Sequence, residues 1–204
     1  GGRIYHVISS PAGYFGSNGQ PIDAFKIWEG GLGIWGAISI GLLAAFLRYR
    51  ILQKKLNLPS FSVFADSLAP GILFAQAIGR FGNWFNGELF GRPLDAWWSL
   101  QVPVQYRPVG YEQFESFHPT FLYEAIWCSL IAVALIYFGK HLKPGQSFAA
   151  YVVAYCFGRL FIELIRIDAA NTIAGLRLNV WVSLFVGALS LVYFLRAAKE
   201  RAKS

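Results

Sequence analysis

The sequence predicts an all-α fold, a polytopic transmembrane helix bundle of about five spanning helices with an outer-face loop region. Three observations predict it. The 204 residues are 55% hydrophobic and only 14% charged, too apolar and charge-poor for an ordinary soluble domain, whose helices need alternating polar faces. Five apolar segments, 31–49, 61–79, 119–138, 149–166 and 178–195, each approach the ~20 residues needed to cross a bilayer. The basic residues gather in alternate connections: Arg48, Arg50, Lys54 and Lys55, then Lys140 and Lys143, then Arg196, Lys199, Arg201 and Lys203.

Those connections hold ten of the 18 Lys and Arg. By the positive-inside rule they face the cytoplasm. The net charge of +7 is therefore explained by topology, with no nucleic acid as partner. The opposite face receives residues 1–30, the 92–118 region and the short Asp168-to-Leu178 loop. Pro93, Pro103, Pro108, Trp97, Trp98, Tyr106 and Tyr111 mark 92–118 either as an outer-face cap in the headgroup layer, where aromatic rings favour the interface, or as a plain connection.

Each span has its own features. The first begins Gly30-Gly31-Leu32-Gly33-Ile34-Trp35-Gly36-Ala37, small residues that suit tight helix packing or a broken helix beside a ligand. The second carries Asp66, expected to be structural. It runs into Gly79-Arg80-Phe81-Gly82-Asn83-Trp84-Phe85-Asn86-Gly87-Glu88-Leu89-Phe90-Gly91, where an arginine, two asparagines and a glutamate sit among four glycines. Charge at that depth calls for a reason. The third opens His118-Pro119-Thr120-Phe121-Leu122-Tyr123-Glu124, with proline suited to a first helical turn and Glu124 in need of an arginine partner from a neighbouring span. In the fourth, Tyr155, Arg159, Glu163 and Arg166 follow at spacings of roughly one helical turn and share one face. Cys128 and Cys156 lie inside apolar runs and read as small core residues, and the scattered His6, His118 and His141 form no metal set. No metal and no cofactor is expected.

One Glu cannot neutralise both arginines of the fourth span, and Arg80 adds a third cation. An anion is called for, and a phospholipid phosphate is the anion a membrane supplies, matched by the guanidinium fork. A structural ion-pair network and an anion carrier fit the same charges. A transporter or flippase for an anionic lipid or metabolite is the alternative from another class, weakened by the lack of internal repeats.

The stretch 79–91, the block 118–124 and Arg159-x-x-x-Glu163-x-x-Arg166 together resemble bacterial prolipoprotein diacylglyceryl transferase, and Trp28 to Gly36 has an actinobacterial flavour. The resemblance covers essentially the whole chain. It implies a multi-pass enzyme of the bacterial cytoplasmic membrane with its site toward the outer leaflet. Its expected partners are phosphatidylglycerol, the lipobox cysteine of a preprolipoprotein signal peptide and the bilayer itself. The reaction moves the diacylglyceryl group onto the thiol and releases glycerol 1-phosphate. Residues 1–204 are then one integral-membrane transferase domain lacking N-terminal helices, since the family usually has seven spans. By the same resemblance Arg80, Asn83, Glu88, Arg159 and Glu163 are catalytic. Arg80, Asn86, Gly91, Arg159, Arg166, Tyr123, Glu124 and Arg3 bind substrate. Glu88 or Glu163 takes the thiol proton. Many members place a histidine base where this chain has Trp35, so a mechanism through that histidine does not carry over.

Overall fold

The computed structural model describes residues 2–16, 19–30, 34–168, 170 and 172–199. It is mainly helical, and the chain divides into two units, residues 1–61 and 62–204, each described by itself.

In the first unit, helix α1 (Gly2–Ser9) packs against the long helix α3 (Ile34–Leu56), with the short α2 (Ala12–Phe15) between them in sequence. The Tyr14 hydroxyl is buried between Arg3 Nη1 at 2.7 Å and His6 Nδ1 at 2.8 Å. Helix α3 stops because Asn57 takes a left-handed φ of 49°, a common helix exit for asparagine. Pro59 follows, and its carbonyl accepts hydrogen bonds from Tyr49 and Gln53. Gly31, Leu32, Gly33 and the Trp35 side chain lie outside the described residues, and so do Arg201 and Lys203 of the basic tail.

The second unit is built on four helices: α4 (Phe61–Phe85), α5 (Thr120–Phe138), α6 (Gln146–Ile165) and α7 (Leu178–Lys199). All four are long and apolar enough to cross a membrane. Of the five expected spans, 31–49 differs. Its described part belongs to α3, where Arg48, Arg50, Lys54 and Lys55 charge the second half and leave 14 uncharged residues, 34–47, before them. Ile78, Phe85, Phe138 and Phe185 are each more than two-thirds exposed, an apolar surface that suits lipid or a neighbouring apolar helix rather than water.

The expected 61–79 helix in fact continues to Phe85. Gly79 and Gly82 lie within it, an interior glycine costing only about 1 kcal/mol. The turn that ends it comes at Gly87, φ 64°, where the Glu88 amide donates back to the Asn83 carbonyl at 3.0 Å. Arg80 and Asn83 therefore ride on a rigid helix.

The helices meet through small residues. Ala69, Leu73 and Ala77 of α4, Ala125, Cys128, Ile131 and Ala132 of α5 and Tyr151 of α6 form one buried cluster. Since lipid tails are as apolar as the side chains, close packing rather than water exclusion holds such an interface. Gly158 leaves room for Trp127, whose indole N–H donates to the Ala154 carbonyl at 2.8 Å. Asp66 has the structural role expected of it: from α4 it accepts the amides of Gly145 (2.6 Å) and Phe148 (2.8 Å), capping the first turn of α6 from outside the helix.

The 92–118 region between α4 and α5, called the cap for brevity, has a fold of its own. Strands β1 (Leu100–Gln101) and β2 (Ser116–Phe117) pair antiparallel, and Phe90, Val102 and Phe117 make a small core of their own. Tyr123, in the first turn of α5, receives the Trp98 indole N–H at 3.1 Å and faces His118 Nδ1 at 3.1 Å. A second hairpin, β3 (Thr172–Ile173) with β4 (Leu176–Arg177), joins α6 to α7. Its Ala174-Gly175 turn has both φ values positive, as a two-residue hairpin turn requires.

Two outcomes follow. Asp66→Ala is expected to destabilise the detergent-solubilised protein by about 1–2 kcal/mol, read as a lowered thermal midpoint; an unchanged midpoint would contradict the capping role. Burial, and then the Arg92 charge, lower the His118 pKa below 6.5. The folded protein thus binds fewer protons than the unfolded chain in that window. Its share of stability is complete above the unfolded pKa and lost as pH falls through the lowered one. The midpoint should drop on acidification through this range, and His118→Gln should flatten that part of the profile.

Candidate functional site

Arg80, Glu124, Arg159 and Glu163 of the second unit converge toward one end of the helices. Arg80, near the end of α4, pairs through Nε with Glu124 Oε2 of α5, and its Nη2 reaches the Tyr155 hydroxyl of α6 at 3.2 Å. The other Glu124 oxygen takes Arg159 Nη1 of α6 at 2.5 Å. Arg159 Nη2 pairs with Glu163 one turn further along the same helix, as the four-residue spacing dictates. Three helices are thereby tied by alternating charge, Arg80–Glu124–Arg159–Glu163.

The chain of charge continues past the end of α6. The Glu163 side chain is fully buried. Its Oε1 accepts Asn179 Nδ2 at 2.9 Å, and its Oε2 lies 2.7 Å from Arg177 Nε, an ion contact whose angle makes no hydrogen bond. Arg166 turns away from Glu163 (3.8 Å) and holds Asp168 with a two-pronged grip at 2.7 and 2.8 Å. Arg177, delivered by the β3–β4 hairpin, also reaches Asp168 Oδ2 at 2.7 Å and the Arg166 carbonyl at 3.1 Å. For Asp168, burial acts to raise the pKa, but the Arg166 hydrogen bond and the charges of Arg166 and Arg177 outweigh it and hold the carboxyl below its usual value.

The charge balance corrects the expected cation excess. Arg80, Arg159, Arg166 and Arg177 face Glu124, Glu163 and Asp168, four against three, a net of one. Glu124 is 9% exposed and Arg159 12% at the side chain, whereas Arg80 is 20% exposed. Of these four arginines Arg80 is the most exposed, and among the described contacts its Nη1 has no partner, so it is the one most open to a further anion.

Other expected site residues separate. Asn83 and Glu88 line a small recess with Tyr106 and Val102 beyond the end of α4. Glu88, exposed, accepts Asn86 Nδ2 at 3.2 Å and borders a second hollow of about 350 Å³ with Tyr106, Ile167 and Asp168. Tyr123 belongs to the cap contact with Trp98 and His118. Gly91 is a packing position: its amide donates to the His118 carbonyl at 2.9 Å, and a Cβ there would stand 2.6 Å from Ile165 Cγ2 and 2.8 Å from His118 Cβ. The missing Cβ thus permits close backbone approach between α6 and the cap. Arg3 lies in the first unit, held by Tyr14 and the Lys26 carbonyl.

Sequence reasoning missed Asp168 and Arg177, which sit in what reads as a short connection, and Asn179, at the start of the fifth span. The available signal was Arg177-x-Asn179 immediately before an apolar run, two polar groups that the helix start would bury. Tyr155 was placed on the correct face without a partner, and Arg80 supplies it.

Comparison with known proteins points to a single family. The family model described as prolipoprotein diacylglyceryl transferase matches residues 1–196. A protein of Streptomyces coelicolor named phosphatidylglycerol--prolipoprotein diacylglyceryl transferase 2 is 48% identical over 194 residues, covering 93% of this chain and 60% of that protein. Proteins bearing the same enzyme name are 48% identical in Cutibacterium acnes (96% of this chain, 66% of the relative) and 45% identical in Paenarthrobacter aurescens (100% and 67%). The chain spans about three-fifths of the length of the Streptomyces relatives it matches. With a match over nearly its full length, the chain belongs to the prolipoprotein diacylglyceryl transferase family.

Proposed function

We propose that this chain carries the site that transfers the diacylglyceryl group from phosphatidylglycerol to the lipobox cysteine of a preprolipoprotein, forming a thioether and releasing glycerol 1-phosphate. The single observation that carries the reading is the buried Arg80–Glu124–Arg159–Glu163 ladder at the end of membrane-spanning helices. The names of the relatives supply the substrates. A carrier for an anionic lipid, the other reading of the same charges, is not favoured, because the relatives named above are transferases.

In the reaction the cysteine sulfur forms a bond to the glycerol carbon as that carbon's bond to the phosphate oxygen breaks. The electron pair leaves with the phosphate, and the thiol proton must go to a base, since the thiolate is the effective nucleophile. Arg80 meets the phosphate as its charge grows. Arg159 supports it through the shared Glu124, and Arg166 stands further out. Donors fixed in place before the reaction stabilise developing charge without reorganising, and the carboxylates do that fixing here. Glu163, fully buried and already held by Arg159, Arg177 and Asn179, is a poor proton acceptor. Glu88, exposed beside Asn83 and Asn86, is the better one, with the asparagines orienting headgroup or thiol. In this reading the turn carrying Lys140 and Lys143 faces the cytoplasm, and the cap and β3–β4 hairpin face outward, where lipid and secreted peptide arrive.

Arg80→Ala should lower transfer to a lipobox peptide by about 10²–10³-fold, the usual cost of losing one preorganised donor to a developing anion. Arg80→Lys should recover little of it, because a point ammonium lacks the planar fork. Mass spectrometry of the peptide cysteine reads the product, and near wild-type transfer by Arg80→Ala would remove the phosphate assignment.

A further inference from the structure

A lateral groove of about 360 Å³ runs between α4 and α5. Ala77, Ala125 and Ser129 floor it, and Phe74, Phe81, Leu122 and Leu130 wall it. The floor is low because its residues are small, and it is apolar in effect: Ser129 Oγ donates to the Ala125 carbonyl of its own helix at 2.8 Å, leaving no donor for a lipid to satisfy. Ile78 is 72% exposed and Leu130 60%, so the groove opens sideways between two membrane-spanning helices.

Position and length decide what fits. The groove starts beside the Arg80–Glu124 pair, since Phe81 follows Arg80 and Ala125 follows Glu124 on the two helices that the pair joins. From there it extends away from the cap as far as Val133, nine residues beyond Glu124 on α5, roughly 14 Å at 1.5 Å per residue. That matches the ~15 Å half-thickness of a bilayer's hydrocarbon core. A lipid with its phosphate at Arg80 has a chain of one leaflet's depth to place, and the groove runs that distance from that point.

We propose that the α4–α5 groove holds one acyl chain of the diacylglyceryl donor and that its Ala77–Ala125–Ser129 floor sets the chain length accepted. The proposal rests on the donor being phosphatidylglycerol, and its test is built in two parts so that the two readings fail separately. Phosphatidylglycerol bearing a mid-chain diazirine is photolysed with the membrane-embedded protein. Adducts concentrated on residues 74–81 and 122–133 support the groove whether or not transfer occurs. Adducts spread evenly over the outward faces of α6 and α7, or absent from α4 and α5 because another helix covers them, overturn it. In the second part, short- and long-chain phosphatidylglycerols compete for transfer to a lipobox peptide. Ser129→Phe, which fills the floor, should shift the preference toward the short chain by roughly 10-fold, while Ser129→Ala keeps the wild-type preference. An unchanged preference in Ser129→Phe overturns the chain-length role. Absence of transfer from every lipid by the wild-type protein overturns the transferase reading and leaves the cross-linking result standing.

Discussion

Glu124 is the constraint on which the rest of the second unit depends. A carboxylate one turn inside an apolar helix is strongly destabilising unless it is paired, and here it is paired twice, with Arg80 of α4 and Arg159 of α6. Removing one partner of a buried pair typically costs about 3–5 kcal/mol because the other charge is left uncompensated. The three helices are thus locked in one relative register near the cap, while small residues, Ala69, Ala77, Ala125 and Ala132, let them approach closely further down. At the opposite end Asp66 does the complementary job, using α4 to cap α6. Two charged contacts, one at each end, therefore define how α4 meets α6.

The same arrangement separates rigidity from access. The inner charges are saturated by one another: Glu163 is enclosed by Arg159, Arg177 and Asn179, and Asp168 is gripped by two arginines. The residues left open lie toward Arg80, Asn83 and Glu88, beneath the cap. Saturated carboxylates fix the guanidinium planes, and the single surplus positive charge is available to an anion. That division explains why four arginines coexist in an apolar wall without requiring four phosphates.

Much of this was legible in sequence. Charge poverty, span lengths and alternating basic connections gave the all-α membrane class, and four of the helices meet the length and hydropathy needed. The spacing of Tyr155, Arg159, Glu163 and Arg166 put them on one face, and the need of Glu124 for an arginine was correctly anticipated. The pairing of Arg177 with Asp168 was not legible because the β3–β4 hairpin folds Arg177 back onto the end of α6, and turn geometry in a short loop brings residues together without periodicity. The end of α4 was misplaced because glycine marks a helix exit only where φ turns positive, as at Gly87 but not at Gly79 or Gly82. The packing at Gly91 was not legible for a related reason: a glycine among polar residues does not reveal in sequence which side chains its lack of a Cβ admits, here Ile165 and His118.

If the carboxylates serve to hold the arginines for a phosphate, the most direct measurement is the steady-state rate of diacylglyceryl transfer by Glu124→Gln, a substitution that keeps the shape and removes the charge. The folded variant should lose most of its kcat, because Arg80 and Arg159 no longer stand fixed when the leaving phosphate develops charge. A wild-type kcat in that variant would contradict it.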